Sequence, residues 1–376
     1  MDERPRRSDP GLFKTLADDA RSVSADLQKR GWRREFGGAF SGLEAFYLSE
    51  DNRARLQGMS SVGRWLHRLW WLIEGLLMKL TPVRRVLLAL ALVQVVVGVQ
   101  RVQFGNVSIS FVGVGEVLLV IILMLELKDK LIARRELEAG RAVQLALMPE
   151  ATPPVPGWEV WLHNEPANDV GGDLVDHMKI DARRHGVALG DVAGKALPAA
   201  LLMVKLQATL RALAPQFDGL GDLGSAVNRI VQRDGLPNRF ATLVYLVLTE
   251  GSGEVRVLNA GHMPPVVMRA GALDRLPPGS MALGIMPEAT FAEQRVELSD
   301  GDVLIAFSDG VSEAMDASGD FFGDERLSAA IREAAGRPAA VIGERLLQAV
   351  HAFVGDAPRH DDVSLMILRR VPLSSP

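Results

Sequence analysis

The sequence contains no cysteine. That excludes disulfide bridges, thiolate metal sites and cysteine nucleophiles, and it fits a reducing compartment. An excess of charge of one sign is also missing. The formal net charge of the 376 residues is −4, which carries no overall nucleic-acid signal. The amino terminus, MDERPRRSDP, is charged and has no apolar core, so no secretory signal is expected there. Paired histidines at metal-ligand spacing are absent as well, which leaves oxygen as the available ligand chemistry.

Hydrophobic residues make up 48% of the chain, and they are unevenly placed. Residues 1–60 are polar and read as a small helical segment with no chemistry of its own. Residues 61–127 read as a membrane region. Within it, RWLHRLWWLIEGLLMKL (64–80) is amphipathic, tryptophan-rich and basic at both ends, the pattern of a helix lying at a membrane surface. Two apolar runs follow, VLLALALVQVVVGVQ (86–100) and VSISFVGVGEVLLVIILML (107–125). The first is short for a span and reaches spanning length only if its helix extends to Phe104 and Arg101 snorkels. The expectation is a transmembrane helical hairpin, with helices over about 84–104 and 107–127 joined around Gly105-Asn106.

Residues 52–106 hold eight lysines and arginines against one acid, Glu74, and Lys128, Lys130, Arg134 and Arg135 follow the second run. The connecting loop holds only Arg101. Basic flanks at both outer ends place both termini in the cytoplasm, giving a multi-pass protein of the cell (inner) membrane. Glu116 would be costly in lipid, so it faces a partner helix or reaches the interface. Residues 128–152 form a linker of good helix formers with alternating charge, closed by the prolines of PEATPPVPGW.

Residues 153–371 read as one α+β domain. WEVWLHNEPA, HGVALGDV, RFATLVYLVLTE, GEVRVLNAG, PPVVMRAGAL, RVELSDGDVLIAFSDG and DDVSLMILRR have strand character with Gly, Asp and Pro turns between them. LPAALLMVKLQATLRAL, LGSAVNRIVQRD and one long final stretch, ERLSAAIREAAGRPAAVIGERLLQAVHAFV, read as helices. The methionines of the first are core residues. Strands outnumber helices and several adjoin through short loops. That favours antiparallel sheets with helices packed outside.

Aspartates stand at the ends of four apolar runs: Asp173 in VGGD, Asp191 in LGDVAG, Asp309 in FSDG, and Asp361 or Asp362 in HDD. Strands of one sheet system bring such ends together. Clustered carboxylates raise one another's pKa unless a cation sits among them. All-oxygen ligands select Mg²⁺ or Mn²⁺, and a pair of such ions can activate water against a phosphoryl group. The neighbouring glycines let carbonyls and substrate approach.

VGGDLVD, GDVAGKALPAALLM, NAGHMPP, ALGIM, FSDGVSEA and HDDVSLMIL, in this order, resemble the SpoIIE/RsbU-type branch of the metal-dependent serine/threonine protein phosphatases, the PPM superfamily. AGRAVQLALMPE resembles the helical linker that leads into that domain. The resemblance covers roughly residues 140–371. It implies an α-β-β-α sandwich of two antiparallel sheets flanked by helices. It also implies two divalent cations, Mn²⁺ or Mg²⁺, and hydrolysis of phosphoserine or phosphothreonine by a two-metal-activated water. Carried over by position, Asp191 bridges both metals, the Val192 carbonyl also ligates, Asp309 and Asp361 hold the first metal, and Asp173 serves the second. The helix after Asp191 and the one beyond it act as a switch in that family. The hairpin would then dimerise and position the linkers, making a homodimer. The implied substrate is a phosphorylated anti-anti-sigma (STAS-type) protein.

Some positions depart from the family pattern. Ala193 and Ala196 stand where Ser and Gly are common, and the phosphate-binding arginine of other PPM branches is not evident, which leaves phosphate binding mainly to the metals. His360, beside the metal aspartates, is assigned as proton donor or outer-shell group. His262 is read as a turn residue bonded between two strands, and Lys195 either attracts phosphate or is a solvated loop lysine. The alternative function is a catalytically weak or inactive membrane signalling scaffold with the same fold, which loss of a metal aspartate would have signalled. A diguanylate cyclase, suggested by GGD, is excluded because Leu174-Val175 follow Asp173 in place of Glu-Phe.

Overall fold

The computed structural model describes residue 67 and residues 80–97, 102–104, 107–109, 112–234 and 239–373. The segment 1–60 and all of the interfacial helix over 64–80 except His67 and Leu80 lie outside the described residues. The chain divides into two units, residues 1–130 and 131–376.

In the first unit, α1 runs over Pro82–Val97. Strands β1 (Val102–Phe104) and β2 (Val107–Ile109) pair antiparallel, Phe104 opposite Val107. Helix α2 begins at Val112 and continues to Leu147, so its carboxyl-terminal part belongs to the second unit. The expected helical boundaries are corrected here: Phe104 lies in a strand, and the second helix starts at 112 instead of 107. The reason is local. β-Branched and aromatic residues flank Gly105-Asn106, a two-residue hairpin signal that outweighs apolar continuity. Within this unit Arg84 donates to Glu126 at 2.7 Å and to Asp129 at 2.5 Å, tying α1 to α2.

The second unit holds two five-stranded antiparallel sheets. Its strands and helices in chain order are β3 (Trp158–Glu165), β4 (Leu174–Lys179), β5 (Arg184–Val192), α3 (Ala196–Leu213), α4 (Leu220–Asp234), β6 (Ala241–Thr249), β7 (Glu254–Ala260), β8 (Val266–Arg269), β9 (Ala272–Arg275), β10 (Glu293–Glu297), β11 (Val303–Phe307), α5 (Asp309–Ser312), α6 (Gly323–Glu333), α7 (Ala339–Val354) and β12 (Val363–Arg370). One sheet has the order β10-β7-β6-β5-β4, the other β3-β12-β11-β8-β9.

Period-2 alternation builds three buried layers. In β6, Leu243, Tyr245 and Val247 face α3 and α4, while Val244, Leu246 and Leu248 face the other sheet. In β11, Leu304 and Ala306 join that inter-sheet layer, and Val303, Ile305 and Phe307 face α6 and α7. The outcome is the expected α-β-β-α sandwich. The final helical stretch is two helices, not one. They are broken at Gly336-Arg337-Pro338, where Gly336 takes φ +74° and proline cannot continue a helix. β4 adds a strand that its polar residues hide. Its Asp176 is fully buried and accepts from Nε and Nη2 of Arg211, at 2.8 and 2.6 Å, which pins the last turn of α3 to the sheet.

Among the described residues, one helical stretch, 196–216, is long and apolar enough to cross a membrane. Its Leu202, Leu206 and Leu210 are buried in the layer over the first sheet. The described part of α1 has 16 residues, against the ~20 of a span.

Candidate metal centre

Asp191 is the second-last residue of β5, and its register partner is Thr242 on β6. The β4–β5 pairing sets Leu174 opposite Gly190, so Asp173 enters β4 beside the end of β5. Asp309 opens the short helix α5 straight after β11, and Asp361 and Asp362 lead into β12, which pairs with β11. Hydrogen bonding between strands of two sheets thus brings four separate segments to one edge of the sandwich.

Electrostatics report their closeness. Burial first, then the Asp309, Asp361 and Asp362 carboxylates, push Asp191 up to about 6. Asp309 is raised by burial, then by Asp361 and Glu313. Asp173 is raised well above its ordinary value by burial, Asp191 and Asp362. Its Oδ2 is buried and has no hydrogen-bond partner. A buried acid with one oxygen left without a partner and carboxylates around it lacks a positive counterpart.

The loop 171–173 admits a further oxygen. A Cβ on Gly172 would lie 3.3 Å from the Val192 carbonyl oxygen and 3.8 Å from Asp191 Oδ1, so the bare glycine lets these donors and the Asp173 loop close up. Asp173, Asp191, Asp309, Asp361 and the Val192 carbonyl form an all-oxygen set that fits hard divalent cations. Among the described residues, however, no three Asp, Glu or His side chains are arranged to hold an ion as they stand. The donor chemistry alone fits such an ion.

The adjacent aspartates differ. Asp362 is buried, and its oxygens accept from Ala167 N at 2.8 Å, Gly172 N at 2.7 Å and Asp173 N at 3.4 Å. It clasps the loop that carries Asp173. The Asp361 side chain is 53% exposed, and its Oδ2 lies 3.9 Å from Lys195 Nζ, leaving it open to solvent. Lys195 also donates to the His360 carbonyl at 3.0 Å. His360 is exposed, and among the described residues only its backbone is engaged.

His262 is buried and joins the two sheets. Its Nδ1 lies 2.8 Å from Thr242 Oγ1 on β6, and its Nε2 lies 3.1 Å from the Phe307 carbonyl on β11. Burial pushes it down to about 4. It is a strut between sheets, in keeping with its reading as a turn residue.

Sequence reasoning did not single out Gln144. In the last turns of α2, this buried side chain donates Nε2 to the Gly171 carbonyl at 2.8 Å and accepts the Gly171 N–H at 3.1 Å. Gln207 of α3, also buried, donates to the Leu147 carbonyl at 3.0 Å. The helix end is therefore bonded both to the Asp173 loop and to the helix after Asp191. No local signal marks these contacts, because the partners lie 27 and 60 residues away.

Residues 181–371 match the family described as Stage II sporulation protein E (SpoIIE). The chain is 29% identical over 230 residues to protein IcfG of Synechocystis sp. (strain ATCC 27184 / PCC 6803 / Kazusa), covering 54% of this chain and 36% of that one. It is 25% identical over 239 residues to the phosphoserine phosphatase RsbU of Bacillus subtilis, covering 63% and 70%. It thus spans about a third of the first relative and more than two thirds of the second. The fold is similar to the SiaA-PP2C domain of Pseudomonas aeruginosa, with a TM-score of 0.54 at 17% identity, covering 64% of this chain and 98% of that one.

Proposed function

The chain belongs to the SpoIIE family, and from that premise we propose that it is a membrane-anchored, metal-dependent protein serine/threonine phosphatase. The observation that carries this reading is the meeting of Asp173, Asp191, Asp309 and Asp361 at one edge of the two-sheet sandwich, where burial and mutual repulsion raise three of them. Asp191, Asp173, Asp309, Asp361 and the Val192 carbonyl would hold two Mn²⁺ or Mg²⁺ ions. When bound, such ions supply Lewis acidity that acidifies a water and neutralises charge on a phosphoryl group.

The chain's own residues set the geometry. Asp362 fixes the 167–173 loop and with it the position of the Asp173 carboxylate. Lys195 braces the loop after Asp191 against the Asp361 loop and places a positive charge at the cleft mouth. His360 stands at the exposed rim, within reach of solvent, as a proton donor for the departing seryl or threonyl oxygen.

The substrate is a phosphorylated protein of the anti-anti-sigma (STAS) type, and the chain forms a homodimer through linker and membrane helices. Membrane attachment is supported by aliphatic side chains left exposed on the first unit, among them Val86, Leu90 and Val93 of α1 and Val120, Leu123 and Met124 of α2. Both termini and the phosphatase domain are cytoplasmic in this reading. Carbonate extraction of cell membranes tests it: retention in the pellet supports a spanning hairpin, and release refutes it. Phosphate release from a phosphoserine protein with added Mn²⁺, compared with Asp191→Asn, tests the activity.

A further inference from the structure

Arg239 lies two residues ahead of β6. There the pairing with β5 runs one step past the strands, since Ala193 N donates to the Phe240 carbonyl at 2.9 Å. From this position the Arg239 side chain turns back over the loop that follows Asp191, and Nη1 donates to the Ala193 carbonyl at 2.6 Å. The guanidinium lies across Gly194. A Cβ there would sit 1.1 Å from Nη1 and 2.4 Å from Cζ, and Gly194 also takes φ +118°. Both the backbone conformation and the arginine demand a residue with no side chain.

The arginine is half-buried and forms no ion pair among the described residues, where one carbonyl engages one of its five donors. Its neighbour across Gly194 is Lys195, whose Nζ is 3.9 Å from Asp361 Oδ2. A planar fork of uncommitted donors therefore stands with a lysine on the loop that begins at Asp191. Such a fork matches two oxygens of a phosphate group, and its charge complements a dianion.

We infer that Arg239, together with Lys195, binds the phosphate of the substrate, a phosphate monoester dianion. The guanidinium gives paired N–H bonds to two non-bridging oxygens, and Lys195 adds a point charge on the other side. This assignment rests on the phosphatase reading of the same site.

The test uses the full-length chain with Mn²⁺ and inorganic phosphate as competitive inhibitor. Arg239→Ala should raise both KM and the phosphate inhibition constant by about tenfold or more, the loss of a paired charge-assisted contact. Arg239→Lys should raise them measurably but less, and half-saturating Mn²⁺ should not change in either variant. Unaltered KM and phosphate inhibition in Arg239→Ala would overturn the inference. So would a raised Mn²⁺ requirement that Arg239→Lys fully restores, the mark of a loop strut. If Arg239→Ala does not fold, Arg239→Lys decides by the same constants. If wild type releases no phosphate, the phosphatase reading fails by itself, and calorimetric titration of phosphate into the Mn²⁺-loaded proteins still reads the anion site. Weaker binding by Arg239→Lys than by wild type supports the inference there, and equal binding overturns it.

Discussion

Gln144 holds Gly171 by both ends of its amide, donating at 2.8 Å and accepting at 3.1 Å, with the side chain buried. This pairs the last turns of α2 with the loop that delivers Asp173. Gln144→Ala leaves the Gly171 N–H and carbonyl buried without partners. The variant should lose roughly 2–3 kcal/mol of stability, and it should need more Mn²⁺ for half-maximal activity. Urea unfolding and a Mn²⁺ titration check both. Unchanged Mn²⁺ dependence would show that the contact only stabilises.

Asp361 and Asp362 should separate cleanly by substitution. Asp362→Ala removes the acceptor for three loop N–H groups and should cost roughly 2–4 kcal/mol. Asp361→Ala, at a half-exposed position, should change stability by no more than about 0.5 kcal/mol while removing Mn²⁺-dependent phosphate release. Thermal unfolding beside the activity assay distinguishes them, and the reverse pattern would exchange their roles.

Cation affinity should depend on pH through Asp191. Only the ionised carboxylate binds a cation, and this one is pushed up to about 6. Mn²⁺ binding should weaken as pH falls through that value, approaching a tenfold loss per unit below it from this group alone. Calorimetry at pH 7.5, 6.5 and 5.5 reads the trend. Flat affinity over that range would contradict the repulsive cluster.

His262 gives a stability signature of opposite origin. Its folded pKa, about 4, lies below the ordinary 6.5, so the unfolded chain binds the extra proton first. Its contribution is present above pH 6.5 and is lost as pH falls from 6.5 to about 4. His262→Gln should be less stable than wild type at pH 7.5, with a slope over that window lower by up to about 1.4 kcal/mol per pH unit. Denaturant midpoints at pH 7.5 and 5 measure it, and identical slopes would place the imidazole in contact with water.

Much of this was legible in the chain. The continuous apolar runs of ATLVYLVLT and VLIAF mark strands buried on both faces, and the Gly-Asp ends mark where the carboxylates meet. What escaped depends on distant partners. The β4 residues LVDHMK look too polar for a buried strand until Arg211 supplies the counterion of Asp176 and His177 lies 3.1 Å from His185. Nothing local separates Asp361 from Asp362. The loop 167–173, almost two hundred residues earlier, decides which one turns inward. Gln144 and Arg239 act through backbone groups of loops brought near by the sheets, and such contacts leave no spacing pattern. The β1–β2 hairpin was hidden inside apolar runs that hydropathy reads as helix.

The most direct test of the account is phosphate release from a phosphoserine protein by the full-length chain in lipid, with and without Mn²⁺, beside Asp191→Asn. The account predicts release that requires Mn²⁺ and falls by at least about a hundredfold in the variant, as expected when a central charged group of the site is lost. Release independent of Mn²⁺, or equal release by Asp191→Asn, would contradict it.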